Sequence, residues 1–196
     1  MEMNLRSDTK KPLCLSTIFW KSKEGSAREC SNLSQLENGY CLRGTVLTLL
    51  ENAPYMIQYT VTCDGDWHTK TVEVIQTSHS AVRTLRLEVD DAQRWWRDGE
   101  EIAELRGCFD IDLGVTPATN TLPIRRLELR EGESAGLTAA WLRFPGLELG
   151  RLDQSYTRLA ENKYRYESRG GAYRTALEVD KYGFVISYGD LWRRLE

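Results

Sequence analysis

Residues 107–129 read GCFDIDLGVTPATNTLPIRRLEL, and this is where the chain stops alternating. From Thr116 to Leu127 no period of two can be traced. Thr116 before Pro117, and Thr121 or Leu122 before Pro123, are both possible helix starts, because a first helical turn does not need the N–H that proline lacks. Leu122 and Arg126, or Ile124 and Leu127, then fall on common helical faces. The stretch predicts one short helix within residues 117–128. Ahead of it, Asp110 and Asp112 lie two apart on a strand and share a face.

Outward from this segment, alternation dominates. Ile57, Tyr59, Val61 and Cys63 share one face, with Gln58, Thr60 and Thr62 on the other. Leu85, Leu87 and Val89 repeat the pattern, as do Tyr164 with Tyr166, Tyr173 through Val179, and Phe184 with Ile186 and Tyr188. Successive strand side chains point to opposite faces, so each run reads as a half-buried antiparallel strand. Asp64-Gly65, Asp98-Gly99, Glu131-Gly132, Pro145-Gly146, Gly170-Gly171 and Asp180–Gly183 supply turn chemistry between the runs. Thr17–Trp20 reads as part of a first strand, and Asp90–Trp96 as a strand and turn rather than a second helix. Such strands build a barrel, a sandwich or a curled single sheet. No Gly-rich strand-to-helix unit is present, which excludes a dinucleotide or P-loop fold.

Composition narrows the function classes. The 196 residues fit one domain, expected over 12–196 behind a disordered tail at 1–11. A net charge of −3, with both signs interspersed, argues against nucleic acid as a partner. Five cysteines without a CxxC pair, and two histidines, predict neither a disulfide framework nor a metal site. No apolar run approaches the roughly 18 residues of a transmembrane helix. Pro12–Trp20 has the length of a short signal-peptide core, but acidic Glu2 and Asp8 precede it and no small-x-small cleavage site follows. A cytoplasmic location and no cofactor are expected.

The stretch at 107–129 resembles the signature of the bacterial glycolipid-binding protein family of unknown function. Its marks are a Cys-x-Asp strand, a Thr-Pro-x-Thr-Asn-Thr turn and a Leu-Pro-Ile-Arg-Arg-Leu helix. Further pieces agree in order: Tyr59-x-Val61-x-Cys63-Asp64-x-x-Trp67, Gln154-x-Tyr156-Thr157-Arg158-Leu159, Tyr164-x-Tyr166-Glu167-Ser168, and Leu177-x-Val179-Asp180-x-x-Gly183-x-Val185-x-x-Tyr188. The resemblance runs from about Trp20 to Arg194. It implies a spiral β-roll, a long antiparallel sheet wrapped around a single short α-helix, and a homodimer. That fold is similar to the periplasmic carriers of bacterial lipoproteins. A lipid or glycolipid ligand is implied by fold analogy, so the function must be argued from a site.

Two roles compete for each candidate residue. Arg125 and Arg126 fit a clamp for a phosphate, carboxylate or sugar. They equally fit structural ion pairs with Asp110 and Asp112, because a buried charge must be paired. The pairing is the expected role. Asn120, between Thr119 and Thr121, fits a sugar contact or, as expected, a helix cap. Trp95-Trp96 places one ring outward, toward a ligand or a dimer surface. A sheet lined by Tyr and Trp could stack sugars, or cover an acyl chain in a gap between sheet and helix at about 0.8 kcal/mol per methylene. Polar selection then falls to Arg125, Arg126, Asn120, Tyr156, Arg158 and Tyr166. The alternatives are a hydrolase of a sugar or small ester using Asp110 and Asp112, and a dimeric scaffold without a small-molecule ligand.

Overall fold

The computed structural model describes residues 11–195. The tail expected at 1–11 lies outside them except for Lys11. The strands are β1 (Leu13–Ser22), β2 (Arg28–Leu36), β3 (Gly39–Leu50), β4 (Ala53–Cys63), β5 (Thr69–Thr77), β6 (Val82–Val89), β7 (Trp95–Arg97), β8 (Glu100–Glu101) and β9 (Ile111–Leu113). After the helix α1 (Thr121–Leu127) come β10 (Ser134–Arg143), β11 (Glu148–Ala160), β12 (Lys163–Ser168), β13 (Tyr173–Val179), β14 (Val185–Tyr188) and β15 (Trp192–Arg194).

All fifteen strands join one sheet, in the order β8-β7-β6-β5-β4-β3-β2-β1-β15-β14-β13-β12-β11-β10-β9. Two meanders therefore run outward from the β1–β15 seam. Short turns explain the antiparallel neighbours within each meander. Among the described residues the one parallel pair is β9 with β10, and α1 lies between them in the chain. The seam is short: Trp20 faces Arg194, Lys21 faces Arg193 and Ser22 faces Trp192.

The sheet curls but does not close into a barrel. Its two arms meet instead through isolated contacts. The Thr69 N–H donates to the Phe109 carbonyl at 3.0 Å, and the next residue, Asp110, extends the β9–β10 ladder by accepting from the Ala140 N–H at 2.9 Å. Arg83 donates to the carbonyls of Pro145 and Gly146 at 3.2 and 2.9 Å. The enclosed core draws on both arms, including Trp20, Leu42, Val61, Trp95, Tyr156 and Phe184.

A helix of seven residues would not hold alone in water. Here packing holds it: Thr121, Leu122, Pro123 and Ile124 are buried. The Thr121 hydroxyl donates to the Gly183 carbonyl at 3.1 Å. A single 3-10 turn, Ala118–Asn120, leads in, and Glu128 in the left-handed region ends the helix. Arg125 and Arg126 occupy the last turn, where the helix dipole favours cations.

Gly44 marks a close approach between β3 and β4. Tyr59 lies opposite it, and a Cβ built at Gly44 would come within 2.3 Å of the Tyr59 hydroxyl oxygen. The ring cannot swing away cheaply. It is buried, and its hydroxyl donates to Glu29 and meets Ser31 at 3.0 Å. Gly44→Ala is therefore expected to destabilise the protein by about 1–3 kcal/mol, the usual penalty of overpacking. Urea denaturation measures it; an unchanged midpoint would show that the ring moves freely.

Candidate functional site

The helix face toward the sheet is shut to solvent: Leu113, Ala118 and Thr121 are fully buried and Leu122 nearly so. Any gap between sheet and helix is therefore closed to solvent at these residues of β9, the 3-10 turn and α1. Open volume lies instead ahead of the helix. A cavity of about 240 Å³ sits between the loop leading to α1 and the C-terminal arm of the sheet.

Register builds its walls. On the parallel ladder, Asp112 of β9 lies beside Trp141 of β10. Tyr166 of β12, Tyr173 of β13, Tyr188 of β14 and Trp192 of β15 complete an aromatic enclosure. Tyr188 and Trp192 face each other across β14 and β15. The tyrosines hold one another: Tyr173 stacks on Tyr188 at 6.4 Å and 19°, while Tyr166 meets them at 6.1 and 5.9 Å at steeper angles. Asn120 and Ser168 add polar groups. Arg169 is exposed, with its guanidinium 5.4 Å from the Trp141 ring centre.

Asp112 is the acidic group of this cavity. Gln154 Nε2 donates to its Oδ2. Among the described residues, its Oδ1 accepts no hydrogen bond and it joins no ion pair. Burial pushes its carboxyl up to about 6, against the opposing pull of Gln154. It is thus mostly ionised at pH 7.5, without a cation from the protein. The expected ion pair at Asp112 is not formed. Successive helical residues point about 100° apart, so the two arginines cannot both serve one strand face.

Arg126 serves Asp110. Its Nη2 donates to Oδ2 at 2.6 Å and its Nε to Oδ1 at 3.2 Å, and the carboxyl side chain is 2% exposed. Asp110 is therefore engaged on both oxygens, whereas Asp112 is engaged on one. Arg125 turns the other way and lies 5.4 Å from the Trp67 ring centre. Trp67 in turn stacks on Tyr40 at 3.8 Å.

The other sequence candidates separate as well. Asn120 and Tyr166 line the cavity. Asn120 stands at the N-cap position of α1 but makes no side-chain capping bond: its Nδ2 donates to the Pro117 carbonyl at 3.0 Å and its Oδ1 accepts from Tyr156 at 2.8 Å. Tyr156 is buried behind it and supports it. Arg158 ties a turn, donating to the carbonyls of Leu129 and Glu161 at 2.8 and 2.7 Å. Of the neighbouring tryptophans, Trp95 is the inward one and donates to the Cys108 carbonyl at 2.9 Å, while Trp96 is half-buried.

Trp141, Ser168, Arg169, Tyr173, Tyr188 and Trp192 were not singled out as ligand contacts from the sequence. The Tyr alternation at 164–166, 173 and 188 was the available signal, since these positions share an inner face.

A second buried acid stands behind the cavity. Glu29 of β2 accepts from Tyr59 and, at 2.7 Å, from Thr116, which also lines the cavity. Burial pushes its carboxyl up to about 7, against these two hydrogen bonds.

Comparison with known proteins adds two findings. The model of a family described as "Putative glycolipid-binding" matches residues 17–194. A crystal structure of a DUF1089 family protein from Pseudomonas aeruginosa is similar, with a TM-score of 0.80 and 36% identity, over 87% of this chain and 92% of that one. No curated protein matches the chain.

Proposed function

The chain belongs to the family described as "Putative glycolipid-binding", and from that premise we propose that the cavity ahead of α1 holds the sugar head group of a lipid. The observation that carries this reading is the lining itself: five aromatic rings, one carboxylate, a few neutral polar groups and the exposed Arg169. Sugar rings present apolar C–H faces to aromatic walls, and hydroxyls at their edges to acceptors such as Asp112, Asn120 and Ser168.

Size supports a head group and not a whole lipid. Pockets for drug-sized ligands measure about 300–1,000 Å³, and this one is about 240 Å³. One ring fills it, and an acyl chain stays outside. Arg125, Arg126 and Arg158, considered earlier as ligand contacts, have no part in this reading, because the first lies on Trp67 and the other two hold Asp110 and backbone carbonyls.

Tryptophan fluorescence during titration with octyl glucoside, kept below its micellar concentration, tests the proposal. Saturable quenching is expected from Trp141 and Trp192. Tyr173→Ala removes one wall and is expected to weaken binding about tenfold, or roughly 1.4 kcal/mol. A signal that rises linearly without saturation sinks the reading.

A further inference from the structure

Resting on the head-group reading above, we infer that the head group carries a positively charged amine, bound with its ammonium against Asp112 and its carbon skeleton against the tyrosines. Two independent features of the cavity point there.

The first is the unmatched acid. Of the other buried carboxyls near the helix, Asp110 has Arg126 on both oxygens, while Glu29 takes two hydroxyl donors on Oε1 and keeps its unpartnered Oε2 buried, where Asp112 instead lines the cavity. Asp112 has one neutral donor, on one oxygen only. Its other oxygen is left for a donor from outside. A carboxylate held partly away from water gains most from a cation, which offsets its charge as well as filling its lone pairs.

The second is the wall. The face of an aromatic ring is electron-rich, and a cage of such faces is the usual setting for a substituted ammonium ion. Tyr166, Tyr173, Tyr188 and Trp192 line the same cavity as the acid. Trp141 already carries two cations, the Arg143 and Arg169 guanidiniums 5.2 and 5.4 Å from its ring centre, which leaves the tyrosines and Trp192 for a ligand. Arg169 is the cation among the lining residues. It is exposed and forms no ion pair with Asp112, so it leaves the interior charge uncompensated.

An ammonium can come from an amino sugar or from a simple amine head group, and the test separates these sources. Calorimetry at pH 7.5 would compare methyl glucoside, methyl 2-amino-2-deoxyglucoside, its N-acetyl derivative and ethanolamine. The amino sugar is expected to bind about tenfold tighter than either neutral sugar, a difference near 1.4 kcal/mol. Asp112→Asn keeps an acceptor for Gln154 and is expected to bring the amino sugar down to the level of the neutral two. The amine-against-acetamide comparison needs no variant, so it stands even if Asp112→Asn folds poorly. Ethanolamine binding as tightly as the amino sugar supports the ammonium site and assigns it to a simple amine. Equal binding of glucoside and amino sugar overturns the ammonium inference while leaving the head-group reading intact. Failure of all four ligands to bind overturns both.

Discussion

Arg126→Ala is expected to cost about 3–5 kcal/mol of folding free energy, the range for removing one member of a buried ion pair. The size follows from what remains. Asp110 is 1% exposed and takes both of its side-chain donors from Arg126. Without them a carboxylate stays enclosed with no hydrogen-bond donor of its own, and only His68 near enough to offset its charge. Its pKa already stands above the ordinary value, because burial outweighs the arginine, and losing the arginine raises it further. A carboxyl whose folded pKa exceeds its unfolded one favours folding while protonated, and loses that contribution as pH rises. The deficit of the variant is therefore smallest in acid and widens toward pH 8. Replacing the pair together, as Asp110→Leu with Arg126→Met, is expected to recover most of the loss, since it removes the buried charge. Urea denaturation at pH 5 and pH 8 reads all three. A loss below about 1 kcal/mol at pH 8 would place the pair among weak surface bridges.

The same pair shows how far the sequence could be read. Two acids on a strand and two arginines on a helix suggest two bridges. One forms, because neighbouring helical residues diverge while alternate strand residues do not. What the helix does to Arg125 depends on Trp67 and Gly183, which lie far off in the chain and are brought in by the curl. The β hairpins were legible because alternation and turn residues act locally. Ile57, Tyr59, Val61 and Cys63 are all buried, as their period of two requires. The pattern fails at β14. Phe184 and Val185 are adjacent and both fully buried, and the ladder slips between Glu178 and Val179. An irregularity of this kind resets which side chains face inward.

The cavity was less legible than the fold. Tyr166, Tyr173, Tyr188 and Trp192 sit on four strands, and alternation assigns each a face but not a neighbour. Asp112 meets Trp141 through a parallel ladder that spans the helix, and no local signal sets that register. The short strands β9 and β15 carry three residues each, too few to show a period. Yet these two strands supply the acid and one wall of the cavity.

The β1–β15 seam makes Trp20→Ala the other substitution with a large expected effect. Three register pairs join the two meanders, and Trp20 is in the first of them. Its side chain is fully buried, packs edge-on against Phe184 with ring centres 5.6 Å apart, and donates from Nε1 to the Val185 carbonyl at 2.7 Å. One residue on β1 thus holds the turn and first residue of β14 in the C-terminal arm. Truncation to alanine removes that packing and leaves a cavity, at about 3–5 kcal/mol. It also orphans the Val185 carbonyl, which by itself costs about 1–3 kcal/mol when buried. Trp20→Phe separates the contributions, because it keeps a ring against Phe184 and loses only the indole remainder and its N–H. Trp95→Ala supplies the contrast. Trp95 is equally buried but lies on β7, next to the free edge, so its loss does not touch the seam. Hydrogen exchange is expected to show Trp20→Ala opening β1, β14 and β15 together, with β3 to β5 still protected. If exchange in Trp20→Ala instead rises first at β7 and β8, the two arms are held by contacts away from the seam.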